Sequence, residues 1–186
     1  MKRKILFLAL ASPLFAAGAA FAPQQDGMPP PPKPSPEHAQ VMKLVGTWEV
    51  TMKQGDKPEP QKASITFEKV GDYWVTGHFR GTYMGMPFEG QSTQGYSPTK
   101  KKMVGTWVDS RMPEVGIGEG TWDPGAKTIR MTWQCPMKPD QKGMETVVFK
   151  DDDHFTSTMT MKDADGKDMP PMTMEYVRKG SSPARG

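Results

Sequence analysis

One cysteine in 186 residues, Cys135, excludes an intramolecular disulfide, and "TWQCPMKP" around it offers none of the bases that a nucleophilic thiol needs. Histidine is equally sparse. His38, His78 and His154 form neither a His-x-His nor a His-x3-His pair, so the usual zinc signature is missing. A haem barrel needs one axial histidine at a cavity mouth. His154, at the start of a strand, is the candidate, and a polar turn residue after Asp151, Asp152 and Asp153 is the plainer reading. An excess of one charge is also absent. Lys2, Arg3 and Lys4 precede the first acidic residue, and without them 21 basic residues face 21 acidic ones. No basic surface remains to argue for nucleic acid or an anionic membrane.

Long apolar runs are missing too, except for "ILFLALASPLFAAGAAFA", residues 5–22, directly after the three basic residues. Its small-residue end is that of a secretory signal peptide spanning residues 1–22, and the expectation is export to the periplasm or medium. Cleavage after Ala22 leaves Pro23 first, a poor junction, so Ala19 and Ala20 compete with it; an uncleaved anchor is the alternative. No nearby cysteine offers a lipid attachment. Residues 23–36, "PQQDGMPPPPKPSP", are half proline and form an extended tether. Ser35 as N-cap, Pro36 at the first helical position and Glu37 in the first turn then start a short helix, which Gly46 ends. The domain is expected over 37–180, with a flexible tail at 181–186.

From Gly46 on, the apolar period is two. "TWEVTMK" alternates Trp48, Val50 and Met52 with Glu49, Thr51 and Lys53, and "KASITFEK", "KTIRMTWQ" and "HFTSTMTMK" do the same. Turn chemistry separates such runs at "VGD", "SPTKKK", "DPGAK", "KDDD" and "DADGKD". About ten strands result, near 46–53, 62–70, 73–82, 88–96, 102–109, 114–122, 127–134, 143–150, 154–162 and 171–179. Short connections make an antiparallel meander, and a meander of this size removes its edges by closing into an up-and-down β-barrel. The inward face of the third strand stays open, because Tyr73 and Trp74 compete for it and one of them takes His78 with it. The glycines of "EVGIGEGT" lie within a strand with no helix after them, so they are not a nucleotide loop.

Gly-Thr-Trp recurs at 46–48, 105–107 and 120–122, at unequal spacings that exclude a repeat array. A short helix followed by Gly-x-Trp opening the first strand resembles the lipocalins and other calycins. The resemblance implies that Gly46 and Trp48 lie at the closed end with a basic residue of the last strand across the indole. "PMTMEYVRK" offers Arg178 for that role; a solvated terminal charge is the alternative. "PEHAQVMKLVGTWEV", "YMGMPFEGQSTQGYSPTKKKMVGTWVDS", "EGTWD" and "DDDHF" are similar to the family called domain of unknown function 1579. That resemblance implies a calycin-like barrel without an assigned activity and without catalytic residues to carry over.

Sixteen methionines are the chain's most unusual content. Those at 84/86, 159/161 and 172/174 share a strand face pairwise. They are flexible core filler, the lining of a cavity for an apolar molecule, or, in "MTMKDADGKDMPPMTM", soft ligands for copper. In "KMVGTWVDS" Asp109 has the parity of Trp107, and in "EVGIGEG" Glu119 has the parity of Val115 and Ile117. Inward carboxylates must be paired or raised in pKa, so Asp109, Glu119 and Arg178 make a structural ion-pair network, a ligand anchor or an acid/base pair. The expected lining is therefore Met86, Phe88, Trp107, Asp109, Glu119, Trp133, Met159 and Met174. The function expected of it is binding of a small hydrophobic or amphipathic molecule without a cofactor, with catalysis or haem or copper handling as rivals.

Overall fold

A computed structural model describes residues 30–55, 60–135, 138–163 and 165–180. The expected leader and tail, residues 1–22 and 181–186, lie outside the described residues. The chain divides into two units, residues 1–32 and 33–186. The second holds one helix, α1 (Pro36–Met42), followed by ten strands: β1 (Gly46–Gln54), β2 (Gln61–Val70), β3 (Trp74–Tyr83), β4 (Met86–Ser97), β5 (Lys102–Asp109), β6 (Met112–Asp123), β7 (Thr128–Cys135), β8 (Lys138–Phe149), β9 (His154–Thr160) and β10 (Met172–Arg178). Every strand pairs antiparallel with its neighbours in sequence, and β1 also pairs with β10, which closes the barrel. The expected ten-strand up-and-down barrel is the observed fold. The eighth strand starts five residues earlier than its pattern suggests. Its polar start still joins the ladder, because a register shift at Gln134/Cys135 carries the pairing past Lys142 to Lys138.

Alternation decides what lies inside. Trp48, Val50 and Met52 on β1, Ile65 and Phe67 on β2, Phe155 and Ser157 on β9, and Met174 and Tyr176 on β10 are buried, and their neighbours are more exposed. On β3 Val75 and Phe79 turn inward, in the parity of Tyr73, so Trp74 and His78 face outward. Trp74 lies across Gly95 on the outer wall, where a Cβ would sit 2.3 Å from its ring.

The inner wall from β3 to β8 is rich in glycine, and the space is taken by large rings from neighbouring strands. A Cβ on Gly90 would lie 2.3 Å from the Trp107 indole, and one on Gly118 2.8 Å from Trp133. Small and large residues thus interlock across the barrel. Phe88 stacks on Trp107 at 6.5 Å and 19°, and Phe79 meets both rings edge-on.

The lower end is closed by α1 and by Arg178. The Arg178 guanidinium carbon lies 4.2 Å from the Trp48 ring centroid. Its nitrogens donate to the carbonyls of Val45 (2.7 Å), Lys43 (2.9 Å) and Asp152 (2.9 Å) and to Asp153 Oδ1 (2.9 Å). Trp48 Nε1 donates to Leu44 O at 2.7 Å. Gly46 meets a double demand here: its φ is +130°, and a Cβ would fall 2.6 Å from Arg178 Nη1. Above it, His38 of α1 is buried between the edges of Tyr73 and Tyr96, and its Nδ1 accepts the Ser35 backbone N–H at 3.0 Å.

Candidate functional site

The interior polar centre of the barrel is Glu145. It stands on β8 in the inward parity of Val147 and Phe149, and the ladder sets it opposite Met131 on one side and Met159 on the other. Trp133 Nε1 donates to Glu145 Oε2 at 2.8 Å, and Ser157 Oγ donates to Oε1 at 2.5 Å. No cationic side chain lies within ion-pair distance of this carboxylate among the described residues. Tyr176 is nearby and buried. Burial, and then the Glu145 charge, push its phenol far above its ordinary pKa, so it stays protonated and donates to Met174 Sδ at 3.4 Å.

A cavity of about 60 Å³ adjoins Glu145 and Trp133. Met103, Met131, Ile129, Val147, Phe149, Phe155, Ser157 and Tyr176 line it, with Leu44, Phe67 and Gln94. It has room for a few waters, whereas pockets for drug-sized molecules run to about 300–1,000 Å³. Ser92 Oγ, also buried, has no hydrogen-bond partner among the described residues. A larger space of about 220 Å³ lies outside the closed end, between Gln40, Lys43, Trp122, Pro124, Lys127, Asp151 and Asp152. Its lysines and aspartates offset one another, as in the Lys43–Asp152 pair at 3.1 Å.

The expected lining residues separate into three places. Trp133 lines the cavity just described; half-buried Met159 stands opposite Glu145 in the β8–β9 ladder, and buried Met174 stands opposite Ser157 in the β9–β10 ladder. Phe88, Trp107 and Asp109 form an upper group. Trp107 Nε1 donates to Asp109 Oδ2 at 2.9 Å, and the Arg111 backbone N–H donates to Oδ1 at 2.8 Å, so this carboxylate serves the β5–β6 turn. Met86 and Glu119 are corrections. Met86 follows the tight turn at Met84 and Gly85, both at positive φ, and is exposed at the rim, where Arg111 Nη1 reaches its sulfur at 3.5 Å. Glu119 faces outward with Val115 and Ile117, which are about half exposed. The reason is Trp133: its indole lies across the inside of β6, against Gly118 and Gly116, so the glycine face of β6, not its apolar face, turns inward.

Outside, Glu119 pairs with Lys100 and with Lys102 Nζ at 2.8 Å. Hydrogen bonds from Lys100 and then Lys102 hold its carboxyl down at about 2. Asp109 at the upper end, Glu119 outside and Arg178 at the lower end thus form neither a network nor an acid/base pair. His154 lies at the β8–β9 turn with Asp151 Oδ1 2.8 Å from its Nδ1. Among the described residues no group of three or more His, Cys, Asp or Glu side chains is placed to hold a metal.

Glu145 itself escaped the sequence reading. In "METVVF" both parities carry a valine, so the period of two is unreadable, and the carboxylate's face follows only from its partners.

The profile of a family described as "Protein of unknown function (DUF1579)" matches residues 33–178. No curated protein matches the chain by sequence. Among solved structures, the S-type phycobiliprotein lyase CPES from Guillardia theta is similar at 15% identity and a TM-score of 0.54, over 80% of this chain and 100% of that one. Rv2717c from M. tuberculosis is similar at 14% identity and a TM-score of 0.57, over 78% and 98% of the two chains. At these identities the likeness is one of fold.

Proposed function

The chain belongs to the DUF1579 family, whose match takes in all ten strands, and on that premise we propose that it is a binding barrel rather than an enzyme. Its ligand is a small amphipathic molecule, with an apolar body among the methionines and rings and a cationic or hydrogen-bond-donating head on Glu145. The observation that carries this reading is the carboxylate itself. Glu145 is half-buried, and because taking a carboxylate fully out of water costs several kcal/mol unless it is paired, it bears part of that cost. Here two neutral donors use part of its accepting capacity, and among the described residues no cation lies close enough to compensate its charge. Ser92 Oγ adds a second unspent polar atom inside the wall.

The 60 Å³ cavity bounds the ligand from the other side. Anything larger than a few waters must displace filler, and the filler beside Glu145 is Met103 and Met131, side chains with three soft torsions and a polarizable sulfur. An interior filled in this way can redistribute its volume. If residues 1–22 act as the signal peptide expected of them, the ligand is met outside the cytoplasm. The enzyme reading draws on one fold relative being described as a lyase. It has less support in the chain, because Asp109 and Glu119 lie apart from Glu145 and from each other.

Native mass spectrometry of protein purified from its own host tests the proposal. A retained organic molecule, lost or weakened in Glu145→Gln, is the expected result. A wild-type barrel that carries nothing and takes up no amphipathic amine under titration overturns it.

A further inference from the structure

Four methionines meet on the inner wall at the upper mouth of the barrel. In the β1–β10 ladder Met52 is directly opposite Met174, and in the β9–β10 ladder Met159 is directly opposite Met172. The same registers make Met174 diagonal to Met159, because Met174 pairs with Ser157, and Met172 diagonal to Met52, because it pairs with Gln54. Directly opposed residues have Cβ atoms about 4.5–5.5 Å apart and diagonal ones about 7–8 Å apart. Each sulfur stands two bonds beyond its Cβ on a flexible chain, so three or four thioethers from this patch can converge on one point.

The patch is anchored below and framed above. Met52 and Met174 are buried, and the Tyr176 hydroxyl holds the Met174 sulfur at 3.4 Å while leaving it a second lone pair. Met172 and Met159 are half-buried toward the mouth. The segment before β10 is fastened there, as Gly55 N–H donates to Pro171 O at 3.0 Å.

We propose that this patch is a soft-metal site that takes one monovalent d10 cation, Cu(I) or Ag(I), on the thioethers of Met52, Met159, Met172 and Met174. Two features of the wall select that class. The donor set is sulfur alone, which suits Cu(I) and is ignored by calcium, magnesium and zinc, and no His/Cys/Asp/Glu cluster competes among the described residues. Thioethers are neutral, so a bound cation needs a counter-charge. Glu145 supplies one negative charge from the position directly opposite Met159. The sequence places this chemistry in residues 159–174, but the fold changes its membership. Met161 and Met169 are exposed at the rim, and Met52 of β1 enters in their place.

The test is an anaerobic titration of the full chain with Cu(I) against a chromophoric Cu(I) chelator, repeated with Ag(I) by calorimetry. One equivalent is expected to bind, with only sulfur in the first coordination shell by X-ray absorption. Met→Leu keeps volume and apolarity. The fourfold Met52/Met159/Met172/Met174→Leu variant is expected to lose at least about 100-fold in affinity, and Met159→Leu or Met172→Leu alone about 10-fold. The paired control Met103→Leu/Met131→Leu, on cavity residues that no ladder sets directly opposite any of the four, is expected to retain it. Absence of binding, a nitrogen- or oxygen-dominated shell, or affinity unchanged in the single variants overturns the site. The thioether variants leave Glu145 in place, so their failure and that of the organic-ligand reading are read separately.

Discussion

At the scale of single residues, the barrel's closed end rests on Gly46, Trp48 and Arg178. The guanidinium spans an indole face, three carbonyls and a carboxylate, and so ties β10 to both α1's exit and the β8–β9 turn. Arg178→Ala removes a cation–π contact worth about 0.5–2 kcal/mol and leaves carbonyls without donors at about 1–3 kcal/mol for a buried one. A loss of about 2–4 kcal/mol is expected in urea unfolding. Arg178→Lys recovers only part, since an ammonium cannot match the planar fork. Gly46→Ala should cost a comparable amount, through φ +130° and the 2.6 Å approach of Nη1. An unfolding midpoint unmoved by either substitution would show that the closed end forms without them. The Gly-x-Trp pair was legible because its spacing is a family feature, and Arg178 because the alternation of "MTMEYVR" is clean. Glu145 was not, because a carboxylate flanked by valines of both parities shows no face until β7 and β9 are paired with it.

At the scale of elements, β6 shows why a period of two can be read correctly and still be placed on the wrong face. Val115, Ile117 and Glu119 do alternate with Gly116, Gly118 and Gly120. The usual assumption turns the aliphatic set inward. The Trp133 indole of β7 needs that room more, since it lies against Gly118 and Gly116, while the Trp107 indole of β5 fills the wall over Gly90 of β4. Substitutions should therefore grade by clearance. Gly116→Ala meets nothing nearer than 3.5 Å and is expected to cost less than about 1 kcal/mol. Gly118→Ala drives a methyl to 2.8 Å from the Trp133 ring, and Gly120→Ala to 2.0 Å from the Arg130 carbonyl of the paired strand, so the latter should cost more than about 3 kcal/mol. Thermal melts of the three variants check the order.

The outer face of the same strand carries a pH signature. Glu119 has its folded pKa lowered to about 2 by Lys100 and Lys102. A depressed carboxyl stabilises the fold above its unfolded pKa, near 4.5. That contribution is lost as the pH falls toward 2. Because the group is exposed, salt should screen the effect, and Glu119→Gln should flatten the acid limb of the stability curve at low ionic strength only.

At the scale of the whole molecule, ten strands enclose more volume than eight, and this barrel fills the excess with rings and thioethers rather than leaving it open. A binding role then depends on whether the filler yields. The competing forces are clear. A ligand gains contact with the apolar lining and with Glu145, and it must displace Met131 or Met103 into positions they do not occupy in the unliganded wall. Met131→Ala removes that displacement in advance. It should cost about 2–5 kcal/mol in stability, as large-to-small core changes do. It should also tighten uptake of a flat aromatic amine such as 1-aminoanthracene by roughly tenfold, a gain of about 1.4 kcal/mol. Glu145→Gln should weaken the amine and leave anthracene, which has no donor for the carboxylate, unaffected. The combination is diagnostic, because each substitution acts on one half of an amphipathic ligand: tighter binding in Met131→Ala locates the apolar body inside the barrel, and amine-selective loss in Glu145→Gln locates the head. Uptake indifferent to both changes would move the ligand out of the interior, to the charged groove between Lys43, Lys127 and Asp151 at the closed end.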